Sequence, residues 1–305
     1  MRYPDWKSVC FGRYLIDIPA VATVTQEWMI HGDTLRVSDG TAEQAKKMAL
    51  DKITELKRER HETQGTMFKR AGELKNGGIL VQGWDFSHQA ETSTVYTYVP
   101  VKFAASAKIY HFVSEVGKSR EEFAWQHITQ IASSIHPLEA NAIPTEPGCC
   151  MGDVILWETP MHRDEYGSIS FHLPDAPHMF TNIQTFTVQA KPNPLHAGEL
   201  QEEIEELDAD NPVVLRNGPH PVGPLPGYEI CVAGVHKQAR FRIFSYYWYA
   251  PGEVKNNKMP AINFTMTYMG KMTESHSGPR PFATDQESLE TWDKMVNSIR
   301  MRPGA

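Results

Sequence analysis

Only four cysteines occur in 305 residues, Cys10, Cys149, Cys150 and Cys231, too few for a disulfide framework. None has Cys-x-x-Cys spacing, which argues against a structural zinc site. Buried free thiols are one expectation; a Cys150–Cys231 or Cys149–Cys231 bridge is the other if the protein lives outside the cytoplasm. No apolar run approaches the roughly 20 residues that span a bilayer, so no membrane span is expected. Met1 to Lys7 lack the apolar core of a signal peptide, which points to the cytoplasm unless a leader has been removed. Basic residues are not in excess: 30 Lys and Arg stand against 37 Asp and Glu, a net charge of −7. That balance argues against a nucleic-acid partner.

Catalytic signatures are missing as well. Gly-x-Ser-x-Gly, His-Glu-x-x-His and Gly-x-Gly-x-x-Gly do not occur. Gly117-Lys118-Ser119 ends like a phosphate loop, but Phe112 stands where the first glycine is required, and Ser119 reads better as a helix cap. The thirteen histidines show no tight ligand spacing; His162, His172, His178 and His196 read as surface residues. Asp164-Glu165 reads as a solvated turn pair. No catalytic residue, metal or cofactor is expected, and the chain is read as a non-enzyme.

The hydrophobic fraction of 41% and charged fraction of 22% are ordinary for a globular protein, and the length suggests two domains. Residues 1–145 hold 17 basic and 17 acidic side chains, residues 146–305 hold 13 and 20, so the whole excess falls in the second half. A weak internal repeat supports a division. Cys10-Phe11-Gly12 leads into an apolar run stopped by Pro19; Cys150-Met151-Gly152 leads into another stopped by Pro160. Each opening is followed by a helix over 41–62 or 198–209, a hairpin, a further strand and a second helix. Thr41 and Gln44 form a capping box, with Ala45, Met48, Ala49, Ile53 and Leu56 as the buried stripe. Ser119 with Glu122, and Thr284 with Glu287, are the expected caps of the closing helices; Phe123, Ile128 and Ile131 are set against Leu289, Trp292 and Met295 as their buried faces. Ile262, Phe264, Met266 and Tyr268 alternate with polar residues and mark a strand with one packed face. The expected fold is α+β: two tandem domains, 1–142 and 146–305, joined near 138–148, each an antiparallel sheet with helices on one face. Residues 216–227 and 275–281 carry too many prolines for regular structure and read as stiff exposed loops, either simple connectors or contact loops.

The stretch from Cys10 to Pro19, and its second copy from Cys150 to Pro160, resemble the domain openings of the immunity proteins paired with lipase effectors of bacterial type VI secretion. The resemblance implies a non-enzymatic inhibitor that binds a phospholipase toxin and protects the producing cell. It also implies residence in the periplasm. It supplies no contact residues. Those come from the pattern: Arg242, Tyr246 and Trp248 on an aromatic strand are the expected anchors, and Glu202, Glu205 and Glu206 on the acidic helix the expected charged rim. The competing reading of the same strand is burial on both faces. The rival functions are an envelope module binding a small ligand or glycan, and a hydrolase with an unrecognised site.

Overall fold

The computed structural model describes residues 3–139, 142–158, 164–190, 197–207, 209–238, 241–268 and 282–305. They fall into two compact units, Met1–Glu27 with Arg163–Ala305, and Trp28–His162. This grouping differs from the expected linear division near 138–148: residues 1–27 group with the C-terminal part, and residues 146–162 with the other unit. The chain opens in the first unit with the antiparallel hairpin of β1 (Trp6–Phe11) and β2 (Tyr14–Pro19). The boundary between the units falls inside β3 (Thr23–Ile30).

The Trp28–His162 unit continues with β4 (Asp33–Asp39), α1 (Ala42–Arg58), β5 (Phe68–Glu73), β6 (Ile79–Phe86), β7 (Gln89–Lys102) and β8 (Ala107–Gly117). Then come α2 (Glu121–Ser133), β9 (Ile135–Pro137), β10 (Gly148–Met151) and β11 (Val154–Trp157). Its main sheet runs β4-β8-β7-β6-β5, all antiparallel. The expected capping box of α1 is present, with Thr41 and Gln44 bonding each other's backbone. One turn of helix after another, Ala45, Ala49 and Leu56 pack on Val81, Tyr98 and Ile109.

The start of α2 differs from expectation. Lys118–Arg120 form a 3₁₀ turn, α2 starts at Glu121, and Ser119 caps nothing. The first-turn carboxylates of α2 face β5 instead: Glu121 is bonded to Lys69, and Glu122 accepts from Arg70 at 2.7 Å. Phe123 then points outward at 58% exposure, while Ile128 and Ile131 keep the buried face.

The chain re-enters the first unit with β12 (Glu165–His172), β13 (Met179–Phe186), α3 (Ala197–Glu206), β14 (Ala209–Pro219) and β15 (Tyr228–His236). It ends with β16 (Arg242–Ala250), β17 (Ala261–Tyr268), α4 (Asp285–Val296) and β18 (Arg300–Met301). The sheet order here is β14-β15-β16-β17-β13-β12. β17 alternates as expected, with Ile262, Phe264, Met266 and Tyr268 buried. Thr284 caps α4 by accepting from the Glu287 amide at 3.1 Å.

Residues 216–219 are strand rather than loop, the end of β14. Pro212 and Pro219 are tolerated because β14 is an edge strand with two register shifts, where a missing donor breaks no central ladder. Residues 275–281, the other expected contact loop, lie outside the described residues.

The two copies of the repeat interleave. β18, which follows α4, pairs with β2, so the end of the second copy completes the hairpin that opens the first. β9, which follows α2, pairs with β11 of the second opening. Counted by spatial unit, Trp28–His162 carries 14 basic and 17 acidic residues and the other unit 16 and 20. The charge asymmetry of the linear halves disappears. Cys10 and Cys150 are disulfide-bonded, whereas Cys149 and Cys231 are buried free thiols, so neither bridge to Cys231 forms.

Candidate functional site

β16 lies between β15 and β17, and helices cover both of its faces. On one face Ile243 joins Ile230, Val232 and Leu207 beneath α3, and Ser245 donates to Glu203 at 2.8 Å. On the other face Tyr246 shares a 2.7 Å hydrogen bond with Ser288 of α4, and Trp292 stacks on Phe264 at 4.8 Å. Trp248 donates its indole N–H to the His220 carbonyl at 2.9 Å. Tyr246 and Trp248 are both 0% exposed. The expected aromatic anchors are therefore core side chains with their polar atoms satisfied inside the unit, and the exposed-face reading of this strand is corrected. Burial also lifts the Tyr246 phenol well above its usual range.

Arg242 sits at the strand's start, partly exposed. Its guanidinium donates from Nε and Nη2 to the Asp285 carboxylate at 2.9 and 2.5 Å. Beside this pair opens a cavity of about 280 Å³, lined by Phe244, Tyr268 and Phe282 as well as Thr284 and Ser288. The bidentate fork fixes Arg242 toward α4, so it braces the cavity mouth.

Glu202, Glu205 and Glu206 are exposed along α3, while Leu200 and Ile204 turn toward the sheet. The next element, β14, exposes Val213 (48%) and Val214 (42%). The structure thus keeps the acidic rim on the surface and separates it from the aromatic residues. Val213 and Val214 were not picked out from sequence, since a β-branched pair reads as core until the strand is known to be an edge.

On the opposite face of the sheet, toward α4, lies a polar cluster around Glu229, itself 7% exposed. His220 Nδ1 lies 2.8 Å from its carboxylate and the Trp292 indole N–H 3.2 Å. Arg216 approaches at 3.6 Å and is forked onto Asp293 at 2.5 and 2.8 Å. Cys231 Sγ is 3.8 Å from the same Glu229 carboxylate. Burial first, and the Glu229 charge second, push the Cys231 thiol far above its ordinary value. A sealed, protonated thiol is no nucleophile. Among the described residues, no group of three or more His, Cys, Asp or Glu has the arrangement of a metal site.

The remaining sequence candidates are scattered. His172 is exposed on β12, within 3.4 Å of Thr25, and His162 and His196 lie outside the described residues. Glu165, expected in a solvated turn, is instead buried on β12 and forked by Arg13.

Comparison with known proteins accounts for the whole chain. None of the curated proteins compared matches it. Residues 7–138 match the model of the Tle cognate immunity protein 4 N-terminal domain, and residues 142–304 that of its C-terminal domain. Among solved structures, the apo immunity protein TplEi of the type VI secretion system of Pseudomonas aeruginosa is 26% identical with a TM-score of 0.86, covering 98% of both chains. A chain of the Tle4–Tli4 complex is 26% identical with a TM-score of 0.87 over 100% of both chains. TplEi complexed with an "L" peptide is 25% identical with a TM-score of 0.80, over 98% of this chain and 99% of that one. With both family models matched in order across nearly every residue, the chain belongs to the Tle cognate immunity protein 4 family.

Proposed function

We propose that this protein protects its producer by binding a type VI lipase effector and blocking it through protein–protein contact, without chemistry of its own. The observation that carries this is the agreement, along the whole chain, with a chain of the Tle4–Tli4 complex. The Glu229 cluster fits a non-enzymatic role, because its thiol and imidazole are tied into core packing. No helix among the described residues is long and apolar enough to cross a membrane. The disulfide-bonded Cys10 and Cys150 suit an oxidising compartment, which favours the periplasm. The exposed carboxylates Glu202, Glu205 and Glu206 suit a basic patch on the effector, where they would steer encounter.

The test is co-purification with the products of neighbouring genes, followed by turnover of the lipase recovered, with and without the protein. Stoichiometric inhibition is expected. Reversing the three glutamates to lysine should slow association by about tenfold or more at low salt and leave dissociation nearly unchanged. Ester hydrolysis by the purified protein alone, or the recovery of no lipase that the protein inhibits, would overturn the reading.

A further inference from the structure

A second cavity, of about 150 Å³, lies within the Trp28–His162 unit, where the β3–β4 turn meets β8 and α2. The turn is tight: His31 and Gly32 both take left-handed φ, +54° and +86°. It sets the His31 ring edge-on to His127 of α2, with centroids 4.2 Å apart. Phe112, Ile128 and Ile131 form a buried apolar wall. Asp33 and Glu115 supply carboxylates, and Ser114 donates its hydroxyl to Asp33. Among the described residues, no lysine or arginine lines the cavity. Burial raises the proton affinity of the Asp33 carboxyl; the Ser114 hydrogen bond opposes it and the nearby Glu115 charge adds to it. Two carboxylates thus share a partly desolvated hollow that no described lysine or arginine of the chain enters.

We propose that this cavity receives an arginine side chain from the protein partner. A guanidinium suits each wall. Its planar fork matches a carboxylate, it stacks on imidazole faces, and it is less strongly hydrated than an ammonium. The methylenes of the same side chain can lie on Phe112, Ile128 and Ile131. This assignment rests on the function proposed above and names one contact through which the effector is held.

The experiment uses the full chain with its isoleucine methyls labelled for NMR, so that Ile30, Ile128 and Ile131 report from the cavity. The probes are N-acetyl-arginine methylamide, the lysine equivalent and the neutral citrulline equivalent. Saturable shifts of these three methyls with the arginine probe are expected, with binding at least about tenfold weaker for citrulline and weaker for lysine. Asp33→Asn, which keeps the shape and an acceptor for Ser114, should weaken the arginine probe about tenfold or more. Glu115→Gln, at an exposed position, should weaken it less and guards against a folding defect in the first variant. Equal binding of citrulline, no effect of Asp33→Asn, or no saturable shift would overturn the cavity assignment. An Asp33→Asn protein that loses the probe yet inhibits the lipase undiminished would overturn the partner contact alone. A wild-type protein that binds the probe but never inhibits would instead overturn the proposed function.

Discussion

The strongest expectation concerns Arg13 and Glu165. Arg13 follows the Gly12 turn of the opening hairpin, and Glu165 starts β12, 152 residues later. Their side chains are 0% and 5% exposed, and two hydrogen bonds join them, Nε to Oε2 at 3.2 Å and Nη2 to Oε1 at 2.5 Å. Removing one partner leaves the other charge buried, at a cost of about 3–5 kcal/mol. Glu165→Ala and Arg13→Ala should each fall in that range. The double variant Arg13→Met/Glu165→Leu should recover most of it, since an apolar pair of similar volume is often neutral. Global stability is read from urea unfolding. Hydrogen exchange then gives the location: about 3–5 kcal/mol corresponds to some two to three and a half powers of ten in opening, at 1.4 kcal/mol per power. That loss of protection should appear in β1, β2 and β12, ahead of α1, β6 and β7. Single variants costing under about 1 kcal/mol, or a double variant as unstable as the singles combined, would refute the claim that this ion pair holds the hairpin in its unit.

Gly227 has no room for a side chain: an added Cβ would lie 2.3 Å from the His220 carbonyl oxygen and 2.3 Å from Trp248 Nε1. Gly227→Ala should cost about 1–3 kcal/mol in thermal unfolding, while Gly218→Ala, with nothing within 4 Å, should be nearly silent; equal effects would contradict the packing. Burial pushes the His220 imidazole down, but hydrogen bonds to Glu229 and Asn297 with the charges of Glu229 and Asp293 outweigh it and raise its pKa. The stability it adds is complete below the unfolded value of about 6.5 and is lost as pH rises through the higher folded value. The urea midpoint of His220→Gln should therefore trail the wild type more at pH 5.5 than at pH 8.5, and the opposite order would show that the imidazole is neutral in the fold. A fragment 28–162 should be folded and soluble by circular dichroism, whereas 146–305 lacks β1 and β2 and strands Glu165; a well-folded 146–305 would show that the hairpin is dispensable.

Local features were legible because they are decided by neighbours a few residues apart. The Thr41–Gln44 box, the Thr284 cap, the α1 stripe and the alternation of β17 each rest on a 3.6- or 2-residue period, and all appear as read. Ser119 shows the limit of such reading. Its sequence context is a good cap, yet Lys69 and Arg70, about 50 residues away, claim the carboxylates and the helix starts later. The acidic rim on α3 was visible for the same local reason, since alternating carboxylates around Leu200 and Ile204 leave one face for water. The cavity at Asp33 was not, because the β3–β4 turn meets β8 and α2 about 80 residues further along the chain.

The sequence by itself determined the element types, their order, the repeat and, through its two opening motifs, the family. Tertiary structure alone decided which strands meet. β2 pairs with β18 across some 285 residues, and β9 with β11 of the other copy. Only that pairing makes Arg13 and Glu165 partners, and only the sandwiching of β16 between α3 and α4 turns Tyr246 and Trp248 from candidate anchors into core. Periodicity records which face of an element is apolar; what covers that face is set by chain closure and packing summed over the whole unit, and no short window of sequence carries that information.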